Sequence, residues 1–127
     1  MKSMESREDY LESILVLKQK KGYVRSIDVV SYLGYSKPSI SRAISLLKKE
    51  GLVTMDDKDG ALNLTETGLA AAQHVYERHQ ILTAYLTKLG VSPDIAAQDA
   101  CRMEHIISDE SFARIKKHLH EGTFLND

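Results

Sequence analysis

Apolar positions along the chain recur at intervals of three and four, in segments punctuated by glycine. Tyr10, Leu11, Ile14, Leu15 and Leu17 form one such stripe. It predicts a helix over 7–21, with Ser6 as its cap and Gly22 just past its end. Ser26 caps a predicted short helix over 27–33, carrying Ile27, Val29, Val30 and Leu33, which Gly34 stops. Ser36 caps a third, with Pro38 in the first turn, where a missing N–H costs little. That helix turns Ile40, Ala43, Ile44 and Leu47 inward and ends at Gly51. The period then changes. LVTM and ALNLT are short strand-like runs flanking the polar turn DDKDG, and predict a β-hairpin. Thr65 caps a long helix reaching Leu89 and ended by Gly90. Ser92-Pro93 opens another that reaches Ile107, and Ser108 caps a last one over 109–120. The tail GTFLND is expected to fray.

Two helices around a tight turn at Gly34, followed by a hairpin, is the order of a winged helix-turn-helix. A helix fits the major groove of DNA, and its first residues reach base edges. Here those residues are Ser36, Lys37, Pro38, Ser39, Ser41 and Arg42. They offer hydroxyls for phosphates or bases, two cations, and a rigid apolar ring that can touch a thymine methyl. Lys48 and Lys49 lie further along the same helix, and Lys58 sits at the hairpin tip. A small helical domain with solvated lysines would use the same residues, but the order of elements favours DNA binding. The predicted fold is mainly α: a winged helix-turn-helix over 1–65, then a helical domain over 66–127.

Length and charge sharpen this division. The 127 residues suit one compact unit or two very small subdomains. A net charge of −1 excludes a polycation that coats nucleic acid indiscriminately. Residues 1–65 carry 11 Lys and Arg against 9 Asp and Glu, a net of +2, whereas residues 66–127 carry 6 against 9, a net of −3. The first half is therefore the better candidate for meeting a polyanion. A single cysteine excludes an intramolecular disulfide and suits a reducing cytoplasm. The apolar runs fall far below the ~18 residues needed to cross a membrane. No export signal is visible at MKSMESREDY, so a cytoplasmic protein without a membrane partner is expected.

All five histidines and the cysteine lie in the second half. Cys101, Glu104 and His105 fall at i, i+3 and i+4 of one predicted helix, which would put them on one face. A thiolate, a carboxylate and an imidazole so placed can chelate a divalent first-row metal. His79 on the preceding helix can join them after the chain folds back. Asp9 and Glu12 form an acidic pair on the first helix that can face the same place. Plainer readings use the same residues. Cys101 can be a small buried apolar residue, Glu104 and His105 a solvated pair, and Asp9 with Glu12 a favourable acidic first turn. His74, His118 and His120 show no partner pattern and read as surface residues.

The segment DACRMEH at 99–105 resembles the metal-site signature of the iron/manganese-dependent repressors, the family typified by the diphtheria toxin repressor and the manganese transport regulator. REDYLESILVL at 7–17, SIDVVSYLGYSKPSISRAISLLKKEGLV at 26–53, LTETG at 64–68 and YERHQIL at 76–82 extend the resemblance over nearly the whole chain. It implies a winged helix-turn-helix followed by a metal-binding and dimerisation domain, in a short form without the SH3-like domain of longer members. It implies repression of metal-homeostasis genes by a homodimer on a palindromic double-stranded operator, with Mn(II) or Fe(II) as activator. Substitution by Co(II) and Zn(II) in vitro is expected as well.

The implied metal ligands are Asp9, Glu12, His79, Cys101, Glu104 and His105. Asp9 and Glu12 match the manganese-responsive branch, and Cys101 the iron-responsive one. His79, Glu104 and His105 match both. The ancillary site of the longer members is incomplete, with Thr83 where an acidic residue is needed. Asp9 and Glu12 supply hard oxygen and Cys101 softer sulfur, so response to both Mn(II) and Fe(II) is expected, with Fe(II) and Co(II) bound more tightly. The helices after Thr65 carry more apolar residues than one small layer needs (Leu69, Ala72, Tyr76, Ile81 to Leu89, Ile95, Met103 and Ile106), which points to isologous dimerisation. Two competing readings are a winged-helix regulator that senses oxidants through Cys101 and a small metallohydrolase using Glu104 as base. Nothing in the sequence marks the substrate pocket that an enzyme needs.

Overall fold

A computed structural model describes residues 4–122. The order is α1 (Met4–Lys21), α2 (Ser26–Leu33), α3 (Lys37–Lys49), β1 (Val53–Met55), β2 (Leu62–Leu64), α4 (Glu66–Lys88), α5 (Pro93–Met103) and α6 (Asp109–Glu121). The chain forms two compact units, one up to Gln73 and one from His74, so α4 contributes to both.

In the first unit, α1 buries Tyr10, Leu11, Ile14 and Leu17. Val24, Val29, Ile40, Ala43, Ile44 and Leu47 are buried with them, as are Val53 and Leu62 of the hairpin. Each larger apolar side chain contributes roughly 1.5–3 kcal/mol by leaving water. The strands pair antiparallel, Val53 opposite Leu64 and Met55 opposite Leu62. At the tip, Asp56 Oδ1 accepts from Lys58 N at 2.8 Å and Asp59 N at 3.2 Å. Gly60 takes the left-handed φ of 75° that closes the turn.

Polar contacts tie α1 to α2, to the end of α3 and to β2. Arg7 Nη2 donates to Glu50 Oε2 at 2.6 Å, just past the end of α3. Lys18 donates to Asn63 on β2, and Lys21 pairs with Asp28 on α2. The rings of Tyr10 and Tyr35 meet edge to face, with centroids 5.9 Å apart. The Lys21 hydrogen bond and the Arg25 N–H hold the Asp28 carboxyl below the usual carboxylate range. Exposed ion pairs contribute little stability one by one. Their effect here is to give α1 a fixed register on α2, α3 and the hairpin.

The α4 N-terminus is locked on the segment that follows α3. Thr65 Oγ1 donates to Gly51 O at 2.7 Å and accepts from Gly68 N at 3.0 Å, while Thr65 N donates to Leu52 O at 3.0 Å. Thr65 is thus both a cap and a staple. Gly68 lies so close to Leu52 that a Cβ would sit 1.9 Å from the Leu52 carbonyl oxygen.

In the second unit, Leu82 of α4, Ala100 of α5 and Phe112 of α6 form the buried centre. Ile81, Met103, Ile107 and Ile115 pack around them. Ser108 caps α6 by accepting from Ser111 N at 3.1 Å.

Several boundaries and one surface assignment depart from the sequence reading. Helix α1 starts at Met4, so Ser6 lies inside it, because Met and Glu propagate a helix as readily as the residues after them. Helix α2 is entered at Arg25, with Ser26 as its first helical residue, because the Asp28 carboxylate accepts from Arg25 N at 2.9 Å. Helix α5 stops at Met103, short of Ile107, for a reason taken up below. His118 is half-buried, with Nδ1 2.9 Å from the Tyr85 hydroxyl of α4. The expected fraying of the tail concerns residues outside the described ones, apart from Gly122.

Candidate metal centre and nucleic-acid interface

The second unit buries a charge. Glu104, at the end of α5, is only 1% exposed. Its carboxylate lies between two imidazoles. His79 Nδ1, from α4, is 3.0 Å from Oε2, and His105 Nε2 is 3.5 Å from Oε1. Among the described residues, Oε1 accepts no hydrogen bond. Burying a carboxylate still costs several kcal/mol after the protein relaxes unless a cation or a full set of donors offsets it. An orphaned carboxylate oxygen beside two imidazole rings is what a divalent first-row cation would complete: one hard oxygen donor and two borderline nitrogens. The residues present therefore fit a resident metal.

The other sequence-derived candidates are placed as follows. Asp9 and Glu12 lie on α1 of the first unit, one turn apart and half-buried. Cys101 is exposed. Among the described residues its sulfur belongs to no group of closely spaced metal-ligating atoms. Cys101 and Glu104 both keep helical backbone, and what separates them is burial: Glu104 is buried as Ala100 is, whereas Cys101 is exposed. After Glu104 the chain tightens, with His105 N donating to Arg102 O and Ile106 N to Met103 O.

Arg78, which the sequence reading passed over, lies at the heart of this segment. It is buried, its Nη1 donates to Glu104 O at 3.2 Å and to Ile107 O at 2.6 Å, and its Nη2 pairs with Asp109. The visible signal was its place in the row Val75, Arg78 and Leu82. A cation in an apolar stripe is buried and partnered.

In the first unit, Ser36 caps α3 by accepting from Ser39 N at 3.3 Å, and its hydroxyl lies 2.9 Å from Ser39 Oγ. Ser36, Lys37, Pro38, Ser41 and Arg42 are exposed, Ser39 is half-buried, and Lys58 is exposed in the hairpin turn. Arg42 Nη2 reaches Ser39 Oγ at 3.5 Å. A shallow groove along α3 is lined by Ser41, Arg42, Ser45 and Leu46. Ser45 and Leu46 were not singled out from the sequence. They continue the exposed face one helical turn beyond Ser41 and Arg42.

Comparison with known proteins matches both units. Residues 2–61 match the family model for the iron dependent repressor N-terminal DNA binding domain. Residues 65–124 match the iron dependent repressor metal binding and dimerisation domain. The transcriptional regulator MntR of Escherichia coli is 40% identical over 104 residues, covering 82% of this chain and 66% of that protein. The HTH-type transcriptional regulator MntR of Geobacillus kaustophilus is 32% identical over 110 residues, covering 87% and 77%. A solved manganese-dependent transcriptional repressor in complex with manganese superposes with a TM-score of 0.81 at 31% identity. It covers 90% of this chain, which spans 52% of that structure.

Proposed function

The chain belongs to the iron-dependent repressor family, and from that we propose that it is a metal-activated transcriptional repressor rather than an enzyme. The observation that carries this reading is the buried Glu104 carboxylate between His79 and His105. The proposed division of labour is DNA reading by residues 1–65, and metal binding with dimerisation by residues 66–127. Asp9, Glu12, His79, Cys101, Glu104 and His105 are the proposed ligands. Mn(II) or Fe(II) is the proposed activator, as manganese is of the solved relative. A bound cation would supply positive charge to a set of carboxylates that otherwise repel one another.

The chain's own residues carry the rest of the switch. Asp9 and Glu12 sit on α1, and α1 is tied through Arg7, Lys18 and Lys21 to α3, β2 and α2. Whatever fixes α1 therefore fixes the reading unit as one body. In a homodimer this sets the separation of the two α3 helices. A palindromic operator needs them about 34 Å apart, or a multiple of that. No described helix is long and apolar enough to cross a membrane, and action on DNA in the cytoplasm is the proposed setting.

The test is a fluorescence-anisotropy titration of operator DNA with chelator, Mn(II), Fe(II), Co(II) and Zn(II) in parallel. Metal is expected to raise affinity by about 5–150-fold, the usual range of allosteric coupling. Equal affinity with chelator and with every metal would overturn the switch.

Three further outcomes are expected. Arg42→Ala should cost about 1–3 kcal/mol of operator affinity and relax specificity at one position, whereas Lys58→Ala should weaken all sequences alike and lower the salt slope by about one unit. Binding unchanged in both variants would place the DNA face elsewhere.

For the dimer, Ile106 is 79% exposed, and Leu89 and Ile95 are exposed with it, whereas Met103 is packed against the second unit's own centre. Ile106→Glu should shift the protein toward a monomer of 14.3 kDa in sedimentation. An unaltered dimer would remove Ile106 from the interface.

Cys101→Glu replaces sulfur by a hard oxygen. It should improve activation by Mn(II) relative to Co(II). An unchanged ratio of the two activation constants would show that Cys101 is not a ligand.

A further inference from the structure

The candidate metal ligands Glu104 and His105 close α5: Glu104 is its C-cap, still at a helical φ of −60° and ψ of −24° with its N–H on Ala100 O, and the regular bonding is interrupted at His105, whose N–H turns to Arg102 O. In a helix that continued, the Glu104 carbonyl would accept from the N–H four residues on, at Ser108. Instead it accepts from Arg78 Nη1 at 3.2 Å, and the same nitrogen donates to Ile107 O at 2.6 Å. Nη2 takes the carboxylate of Asp109, the first residue of α6, and the guanidinium stacks 5.4 Å from the Phe112 ring centroid. One buried side chain thus spans the whole turn from α5 to α6. Arg78 also precedes His79 in the chain. Consecutive residues of α4 therefore hold Glu104 from two sides, Arg78 by its backbone carbonyl and His79 by its carboxylate.

We propose that Arg78 is a positioning residue for the metal centre: by gripping the Glu104 and Ile107 carbonyls where α5 gives way to the turn, it holds in place the backbone from which Glu104 and His105 present their donor atoms. This rests on the reading of those two residues as ligands. The role suits arginine in particular. A planar fork donates to several acceptors in fixed directions, whereas a lysine ammonium is a single point charge on a flexible stem. Partners one bond removed from a metal commonly govern its affinity as strongly as this placement requires.

The test compares wild type, Arg78→Lys and Asp109→Ala. Mn(II) affinity is read from the EPR signal of unbound Mn(II), and ligand geometry from the visible absorption of the Co(II)-saturated protein. Helicity and melting temperature in chelator are followed alongside. Arg78→Lys is expected to lose about 10–100-fold in Mn(II) affinity and to change the intensity or position of the saturated Co(II) bands. Asp109→Ala, which releases Nη2 and a 3.8 Å contact with His74 but leaves both carbonyl bonds of Nη1, should lose several-fold and shift the bands in the same sense. A residue that merely supported the fold would lower the melting temperature and leave the saturated Co(II) spectrum unchanged, and that result overturns the proposal. So does Arg78→Lys with wild-type affinity and spectrum. If Arg78→Lys loses its helical signal, Asp109→Ala decides, and wild-type behaviour there overturns the role. Failure of the wild type itself to bind Mn(II) or Co(II) would sink the metal-centre reading and this proposal with it. Wild-type binding with unaffected variants would sink the proposal alone.

Discussion

Gly68→Ala is expected to destabilise the protein by about 3 kcal/mol, at the upper end of the cost of overpacking, and to lower its melting temperature by roughly 10 °C. The sign is the informative part. Gly68 lies inside α4 with no left-handed backbone to protect, and in an exposed helix interior this substitution stabilises by about 1 kcal/mol. Here the added carbon would lie 1.9 Å from Leu52 O, 2.9 Å from Leu52 C and 3.2 Å from Leu52 Cα. These are backbone atoms, so no side-chain rotation relieves the clash. Leu52 cannot retreat cheaply either. Its N–H donates to Leu47 O at 2.9 Å, and its carbonyl accepts from Thr65 N at 3.0 Å. The strain therefore falls on the link between α3 and the hairpin, and operator affinity should fall together with stability. Thermal melts of the two proteins settle the matter, and a higher melting point in the variant would mean that this close approach does not exist in solution.

The same contact shows where reading the sequence stopped. Thr65 could be placed at the start of α4 because a cap is local: its hydroxyl meets the N–H of Gly68, three residues on. Gly68 could not be interpreted, because helical periodicity treats it as neutral and the partner that requires it lies in another element. Likewise the caps Ser36 and Ser108, the stop at Gly34 and the hairpin pairing all depend on neighbours in sequence, and all were legible. The errors cluster where a distant side chain competes with a local preference. Arg78 reaches across from α4 and takes the Glu104 carbonyl, so α5 does not run on to Ile107. Tyr85 draws in His118, which by spacing alone belonged to the surface. In the candidate site, the sequence offered the candidate donors. It could not supply the burial of Glu104 or the exposure of Cys101, because both depend on which face of α5 packs inward.

Glu104→Gln should separate stability from function more sharply than any other substitution. The amide keeps the shape of the side chain and removes its charge. In the metal-free protein a carboxyl group at 1% exposure is a burden, offset in part by His79 at 3.0 Å and His105 at 3.5 Å. Replacing it with a neutral group of the same volume is expected to leave the chelator-treated protein as stable as wild type, or more stable by about 1 kcal/mol. The response to metal should run the other way. A ligand that binds only the folded state stabilises by RT ln(1 + [L]/Kd), about 2.7 kcal/mol at a hundred times Kd. Wild type should therefore melt several degrees higher in excess Mn(II) than in chelator. The variant, whose affinity should fall by at least roughly 100-fold, should show almost none of that rise at the same concentration. Its operator affinity should become nearly independent of Mn(II). A variant that melts far below wild type in chelator would mean that Glu104 is held for its structural bonds. A variant that keeps the full Mn(II)-induced rise would mean that the cation binds elsewhere. Only the opposed pair of outcomes, an undiminished metal-free protein that no longer answers to metal, fits a carboxylate buried in advance of its cation.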